Sequence, residues 1–138
     1  MSKSIKTVAR DYYAALAYAF KTKDFDRLKS FLADDCKLMA LSDSFVGKEA
    51  VFQFMSRIIV LIHKFEILRQ YFDHDSCCTV MDVTTPIPDL HVSNIEWIVI
   101  RDGQVVEINA VFDAQAANRF MHLVQNGDLF KAKTFSEK

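Results

Sequence analysis

Acidic side chains set inside apolar strands are the residues of this 138-residue chain best suited to chemistry. Glu96 stands in Asn94-Ile95-Glu96-Trp97-Ile98, a run in which alternate residues face opposite sides of a strand. One register groups Glu96 with Val92, Asn94, Ile98 and Ile100 on an inner face. A carboxyl held there has a raised pKa and acts as a proton donor near neutral pH. The competing register turns Ile95, Trp97 and Val99, the more apolar set, inward and Glu96 outward. Asp82, in Val80-Met81-Asp82-Val83, is the second acid of this kind. Beside Glu96 it makes a two-carboxylate site for general acid–base work; on the other face it is exposed or lies in an interface. Tyr12 offers a phenol to the same region. Tyr13 and Tyr18 point away from the helix face that carries Tyr12. Asp43 lies in Ser42-Asp43-Ser44, where side chains of this type bond their own backbone and form turns.

Other chemistries find no support. His63, His74, His91 and His122 include no pair four apart, and Cys77-Cys78 lacks the two-residue spacer of zinc sites, so neither metal nor other cofactor is expected. Asp73-His74-Asp75 reads as a solvated turn. Three cysteines, two of them adjacent, suggest no disulfide framework and point to a reducing cytoplasm. The formal net charge is −1 with Lys and Arg scattered, which argues against a nucleic-acid surface. No apolar run approaches the ~20 residues of a membrane span, so no membrane partner is expected.

These residues need elements to position them. Ile5, Val8, Tyr12, Leu16 and Ala19 recur at helical steps. Asp24 is placed to cap a short second helix through Phe25, Leu28, Phe31 and Leu32. A strand is predicted over Cys36–Leu41. A third helix starts near Lys48 and carries Val51, Met55, Ile58 and Ile62, with Phe52, Phe54 and Ile59 off that stripe, so it is covered on more than one side. From His63 the period falls to two. Strands follow over 63–72, 77–85, 91–100 and 104–112, separated by the turns Asp73–Ser76, Pro86-Ile87-Pro88 and Arg101-Asp102-Gly103. Asp113 caps a last helix that Asn126-Gly127 stops. Helices segregated from a meander mean an α+β fold.

The order Leu32-Ala33-Asp34-Asp35, Phe45-Val46-Gly47-Lys48-Glu49-Ala50, the hairpin Glu96–Val105 and Asp113 resembles the nuclear transport factor 2-like superfamily, in its SnoaL-like and ketosteroid-isomerase-like branch. The resemblance spans roughly residues 5 to 120. It implies a curved antiparallel sheet wrapped around helices as a cone with an internal pocket, one domain over residues 1–127, and pairing of the outer sheet face into a homodimer. In ketosteroid-isomerase-like members a first-strand carboxylate moves the proton; here that position falls at Ala40, which cannot accept one. The resemblance also places the family's hydrogen-bond-donating acid at Glu96 and its helix-one tyrosine near Leu16, one turn beyond Tyr12.

The expected function is binding of a small, mainly hydrophobic molecule in the pocket. Leu16, Met39, Met55, Asn94, Glu96, Ile98, Phe112 and Phe120 are its candidate ligand-binding residues, and residues 128–138 are a tail that could close its mouth. The alternatives are an isomerase, cyclase or dehydratase using Glu96 with Asp82 or Tyr12, and a protein-interaction module using the outer sheet face.

Overall fold

The computed structural model describes residues 3–40, 43–62 and 64–125. The first helix, α1 (Ile5–Thr22), is opened by the Ser4 hydroxyl, which accepts the Thr7 N–H at 3.2 Å. It ends where Lys23 turns left-handed and returns its N–H to the Ala19 carbonyl. A six-residue helix, α2 (Asp26–Phe31), follows, and the Asp24 carboxylate accepts the N–H of its first residue. The chain then extends into β1 (Leu32–Ala40) and returns as β2 (Asp43–Val46). Gly47, at φ +97°, swings it into α3 (Lys48–Leu61), a conformation that a residue with a Cβ adopts only under strain.

Four strands come next: β3 (Lys64–Phe72), β4 (Ser76–Thr84), β5 (His91–Arg101) and β6 (Gln104–Phe112). The β5–β6 hairpin turns on Asp102 and Gly103, both at positive φ, the geometry whose twist matches that of paired strands. The last helix, α4 (Ala114–Gln125), starts at Asp113, whose carboxylate accepts the N–H groups of Gln115 and Ala116.

All six strands join one sheet in the order β2-β1-β6-β5-β4-β3. The sheet is mixed, which corrects the all-antiparallel expectation: β1 and β6 run parallel, and every other pair runs antiparallel. A helix and four strands intervene between β1 and β6, and a long connection of this kind lets β6 arrive alongside β1 in the same direction. A second correction concerns Asp43 and Ser44. They do not form a turn but open β2, with Asp43 opposite Ala40. Register shifts within β1–β6, β3–β4 and β5–β6 bend the strands, and the sheet curves around α1 and α3.

The core lies on the concave side. Val8, Tyr12 and Ala19 of α1 and Val51 and Ile59 of α3 pack on Leu38, Cys77, Met81, Ile98 and Ile108 of the sheet. Each fully buried aliphatic side chain here contributes about 1.5–3 kcal/mol. On the convex side Met39, Tyr71, Ile95, Trp97 and Val111 are exposed. Among the described residues no helix is long and apolar enough to cross a membrane. The expected stop at Asn126-Gly127 and the tail at 128–138 lie outside the described residues.

Candidate ligand pocket

A cavity of about 330 Å³ opens between α1, α3, α4 and the concave face of the sheet. Its walls are apolar: Leu16 and Phe20 from α1, Phe54 and Met55 from α3, Phe112 from β6 and Phe120 from α4. Small, mainly apolar hollows with a few placed polar groups are the usual form of small-molecule sites. Two such groups, Glu96 and Asn94, project side by side from β5.

The orientation of β5 decides the character of the pocket. Along the strand, Val92, Asn94, Glu96, Ile98 and Ile100 are buried, while His91, Ser93, Ile95 and Trp97 face outward. Glu96 is only 9% exposed, and the Tyr13 hydroxyl donates a hydrogen bond to its Oε1 at 2.9 Å. Burial raises the Glu96 carboxyl from its ordinary value of 4.5 to about 7, and the bond from Tyr13 opposes that rise. Near neutral pH the group is therefore divided between its charged and neutral forms. It can give a proton or take one. Burial, and next the charge of Glu96, pushes the Tyr13 phenol far above its ordinary value, so Tyr13 stays a neutral donor. Asn94 is also buried, and its Oδ1 has no hydrogen-bond partner among the described residues. An unpaired buried acceptor costs about 1–3 kcal/mol.

The cavity brings together six of the candidate ligand-binding residues: Leu16, Met55, Asn94, Glu96, Phe112 and Phe120. Two others are corrected. Met39 is 55% exposed on the convex face, because its neighbours Leu38 and Ala40 take the inward positions on β1. Ile98 faces inward but is wholly buried in the core and does not line the cavity.

Both proposed helpers of Glu96 also lie elsewhere. Asp82 belongs to the outward set of β4, opposite Ser93, where its carboxylate meets the His91 Nδ1 at 3.0 Å. Tyr12 is wholly buried and packs edge-on against Phe31, with ring centroids 6.3 Å apart. Its hydroxyl has no hydrogen-bond partner among the described residues, and it does not line the cavity.

Tyr13, expected to point away, is the residue that reaches Glu96. The sheet covers a wider arc of α1 than one stripe. A second stripe, Ala9, Tyr13, Leu16 and Phe20, follows the same three- and four-residue steps and was readable from the sequence. Asp43 lines the cavity next to Ala40, so a carboxylate does stand near the position left vacant by alanine, one strand further out.

Among the described residues no group of three or more His, Cys, Asp or Glu side chains is placed to hold a metal ion. Burial raises the Cys36 thiol to about 11 and also raises the Cys77 thiol, which leaves both as weak nucleophiles at neutral pH.

The model of the SnoaL-like domain matches residues 9–108. The chain belongs to the SnoaL-like domain family. Solved structures place this SnoaL-like chain in the nuclear transport factor 2-like, ketosteroid-isomerase-like fold. A steroid delta-isomerase from Pseudomonas aeruginosa is 18% identical, with a TM-score of 0.66 over 86% of this chain and 94% of that one. A nuclear transport factor 2-like protein of unknown function from Cytophaga hutchinsonii is 12% identical, with a TM-score of 0.66 over 83% and 95%. A de novo designed protein with a curved β-sheet is 15% identical and reaches a TM-score of 0.71 over 88% and 94%. No curated protein matches the SnoaL-like chain. At these identities the likeness is one of fold, and a fold shared with a designed protein carries no activity of its own.

Proposed function

We propose that this SnoaL-like protein binds a small, mainly apolar molecule bearing a hydrogen-bonding oxygen, with Glu96 and Asn94 as its polar contacts. One observation carries the reading: the apolar cavity is lined by three buried polar side chains, Thr85, Asn94 and Glu96, and the Asn94 Oδ1 has no partner among the described residues. A ligand hydroxyl donating to the Asn94 Oδ1 would recover that cost, whereas a ligand carbonyl would accept from the Asn94 Nδ2 amide or from the neutral Glu96 acid.

Binding is tested by titrating the 15N-labelled protein with 2-decalone and with decalin, its oxygen-free counterpart. The expected result is amide shifts along β5 and β6, with decalone bound about 2–10 times more tightly, the worth of one net hydrogen bond. Ala110 lines the cavity, and Ala110→Leu fills it. Equal decalone binding by the leucine variant, or shifts confined to the convex face, would refute the reading.

A second reading, an enzyme of isomerase, cyclase or dehydratase type, is favoured by the Glu96 carboxyl at about 7, close to the optimum for moving a proton at neutral pH. Its common first step is removal of a proton from carbon next to a carbonyl. Deuterium uptake at that carbon of bound 2-decalone, lost in Glu96→Gln, supports this reading; no uptake by the native protein counts against it.

We also propose that the convex face pairs with a second copy of the chain. Met39, Trp97 and Tyr71 stand in adjoining registers across the sheet and leave exposed apolar surface of the kind that marks interfaces. The location in a reducing cytoplasm stays part of this proposal.

A further inference from the structure

Formal charge on the cavity wall is all of one sign. Among the described residues that line it, Asp43 and Glu96 are the charge-bearing side chains, and no Lys, Arg or His joins them. The helices contribute apolar side chains and, from α4, the exposed Asn118. Five phenylalanine rings, Phe20, Phe54, Phe65, Phe112 and Phe120, share the wall with the two acids. The face of such a ring attracts a cation and repels an anion.

The hydrogen bonds left open in the buried wall point the same way. The Tyr13 hydroxyl donates to the Glu96 Oε1 at 2.9 Å, and no bond among the described residues reaches the Oε2. Two residues along the same strand face, the Asn94 Oδ1 is buried without a partner. The Thr85 hydroxyl is already committed to its own loop. It donates to the Leu90 carbonyl at 2.8 Å and accepts the Ile87 N–H at 3.2 Å. An ionised Glu96 therefore offers one open acceptor with full charge, and Asn94 a second. An ammonium, with three N–H donors and no acceptor, answers both. A ligand carboxylate would instead leave water to meet like charge, with no cation beside it.

We propose that the cavity takes apolar primary amines, whose ammonium bonds the Oε2 of ionised Glu96 with the Asn94 Oδ1 as second acceptor, while the hydrocarbon body lies against the phenylalanine rings. This ligand class rests on the cavity being a binding site and does not require the ligand oxygen. Where Glu96 holds a proton before binding, that proton passes to solvent, and the bound pair is ammonium and carboxylate. The groups facing Glu96 are Tyr12 and Tyr13 on α1, Cys77 on β4 and Asp43 across the cavity. Burial keeps the two phenols and the thiol neutral around pH 7.

The test titrates the full chain with three compounds of one skeleton: 2-aminodecalin, decalin and decalin-2-carboxylate. At pH 8 the amine should bind about ten times more tightly than decalin or better, the worth of a hydrogen bond to a charged group, and the carboxylate more weakly than decalin. The free Glu96 carboxyl titrates at about 7, and the amine stays protonated to about pH 10. Amine affinity should therefore rise roughly tenfold from pH 6 to pH 8, and calorimetry at pH 6 in two buffers should show close to one proton released per amine bound. In Glu96→Gln the preference for amine over decalin should fall about tenfold and the rise with pH should vanish. If that variant does not fold, the pH profile and proton release of the native protein decide. An amine that binds no better than the carboxylate, or with an affinity flat from pH 6 to 8, would overturn the proposal. Decalone bound without the amine would overturn this ligand class and keep the oxygen reading; amine bound without decalone would do the reverse. Binding of neither would overturn both.

Discussion

Replacing Glu96 with Gln should make the protein more stable at alkaline pH and leave it nearly unchanged at acid pH. The native carboxyl titrates at about 7 and the unfolded one at its ordinary 4.5, chiefly because folding buries it. Below pH 4.5 both states hold the proton, and folding leaves the group neutral without cost. Between 4.5 and about 7 the unfolded state has lost its proton and the native state has kept it, so native stability falls by about 1.4 kcal/mol per pH unit. Over that span of 2.5 pH units (7 minus 4.5) the loss is on the order of 3 kcal/mol, and above 7 it levels off. Glutamine keeps an oxygen for the Tyr13 hydroxyl to bond and never ionises. Urea unfolding of both proteins from pH 4 to 8.5 gives the difference. Asp35, held low by Arg101, and the pair Asp73 and His74, shifted by each other, titrate alike in both proteins and cancel. A difference curve that stays flat across neutrality, or one that falls as pH rises, would refute the burial of an ionisable Glu96.

Gly47→Ala should lower unfolding stability by about 1–3 kcal/mol although no atom lies within 4 Å of the added Cβ, because φ +97° is open to glycine and strained for alanine; urea unfolding measures it. Asp113→Ala should cost about 1 kcal/mol in the same assay, since it removes the acceptor for the first N–H groups of α4. Trp97→Glu, a change on the convex face, should shift sedimentation of the chain from a dimer to a monomer while leaving its circular dichroism intact. A native protein that sediments as a monomer would refute the self-pairing proposal.

Much of the local structure was legible because it is set by neighbours in the chain. The three- and four-residue steps of Ile5, Val8, Tyr12 and Leu16 define α1, Asp102-Gly103 defines the β5–β6 turn, and Asp113 marks the start of α4. Each rests on backbone preferences spanning a few residues. The parallel pairing of β1 with β6 has no such local mark, since it joins segments with five elements between them. For the same reason β2 was hidden. Asp43 and Ser44 have turn-like side chains, and only the neighbouring strand β1 draws them into the sheet.

For the site, alternation alone determined that Glu96 and Asn94 share one face of a strand and that Ile95 and Trp97 share the other. Period two cannot say which face is inside, and here both faces carry apolar groups. The tertiary structure decided it. The curved sheet encloses α1, and the second stripe of that helix brings the Tyr13 hydroxyl to the Glu96 carboxyl. Asp82 went to the outer face, where it meets His91. A sequence specifies the period of an element; which side becomes the interior depends on what distant segments fold against it.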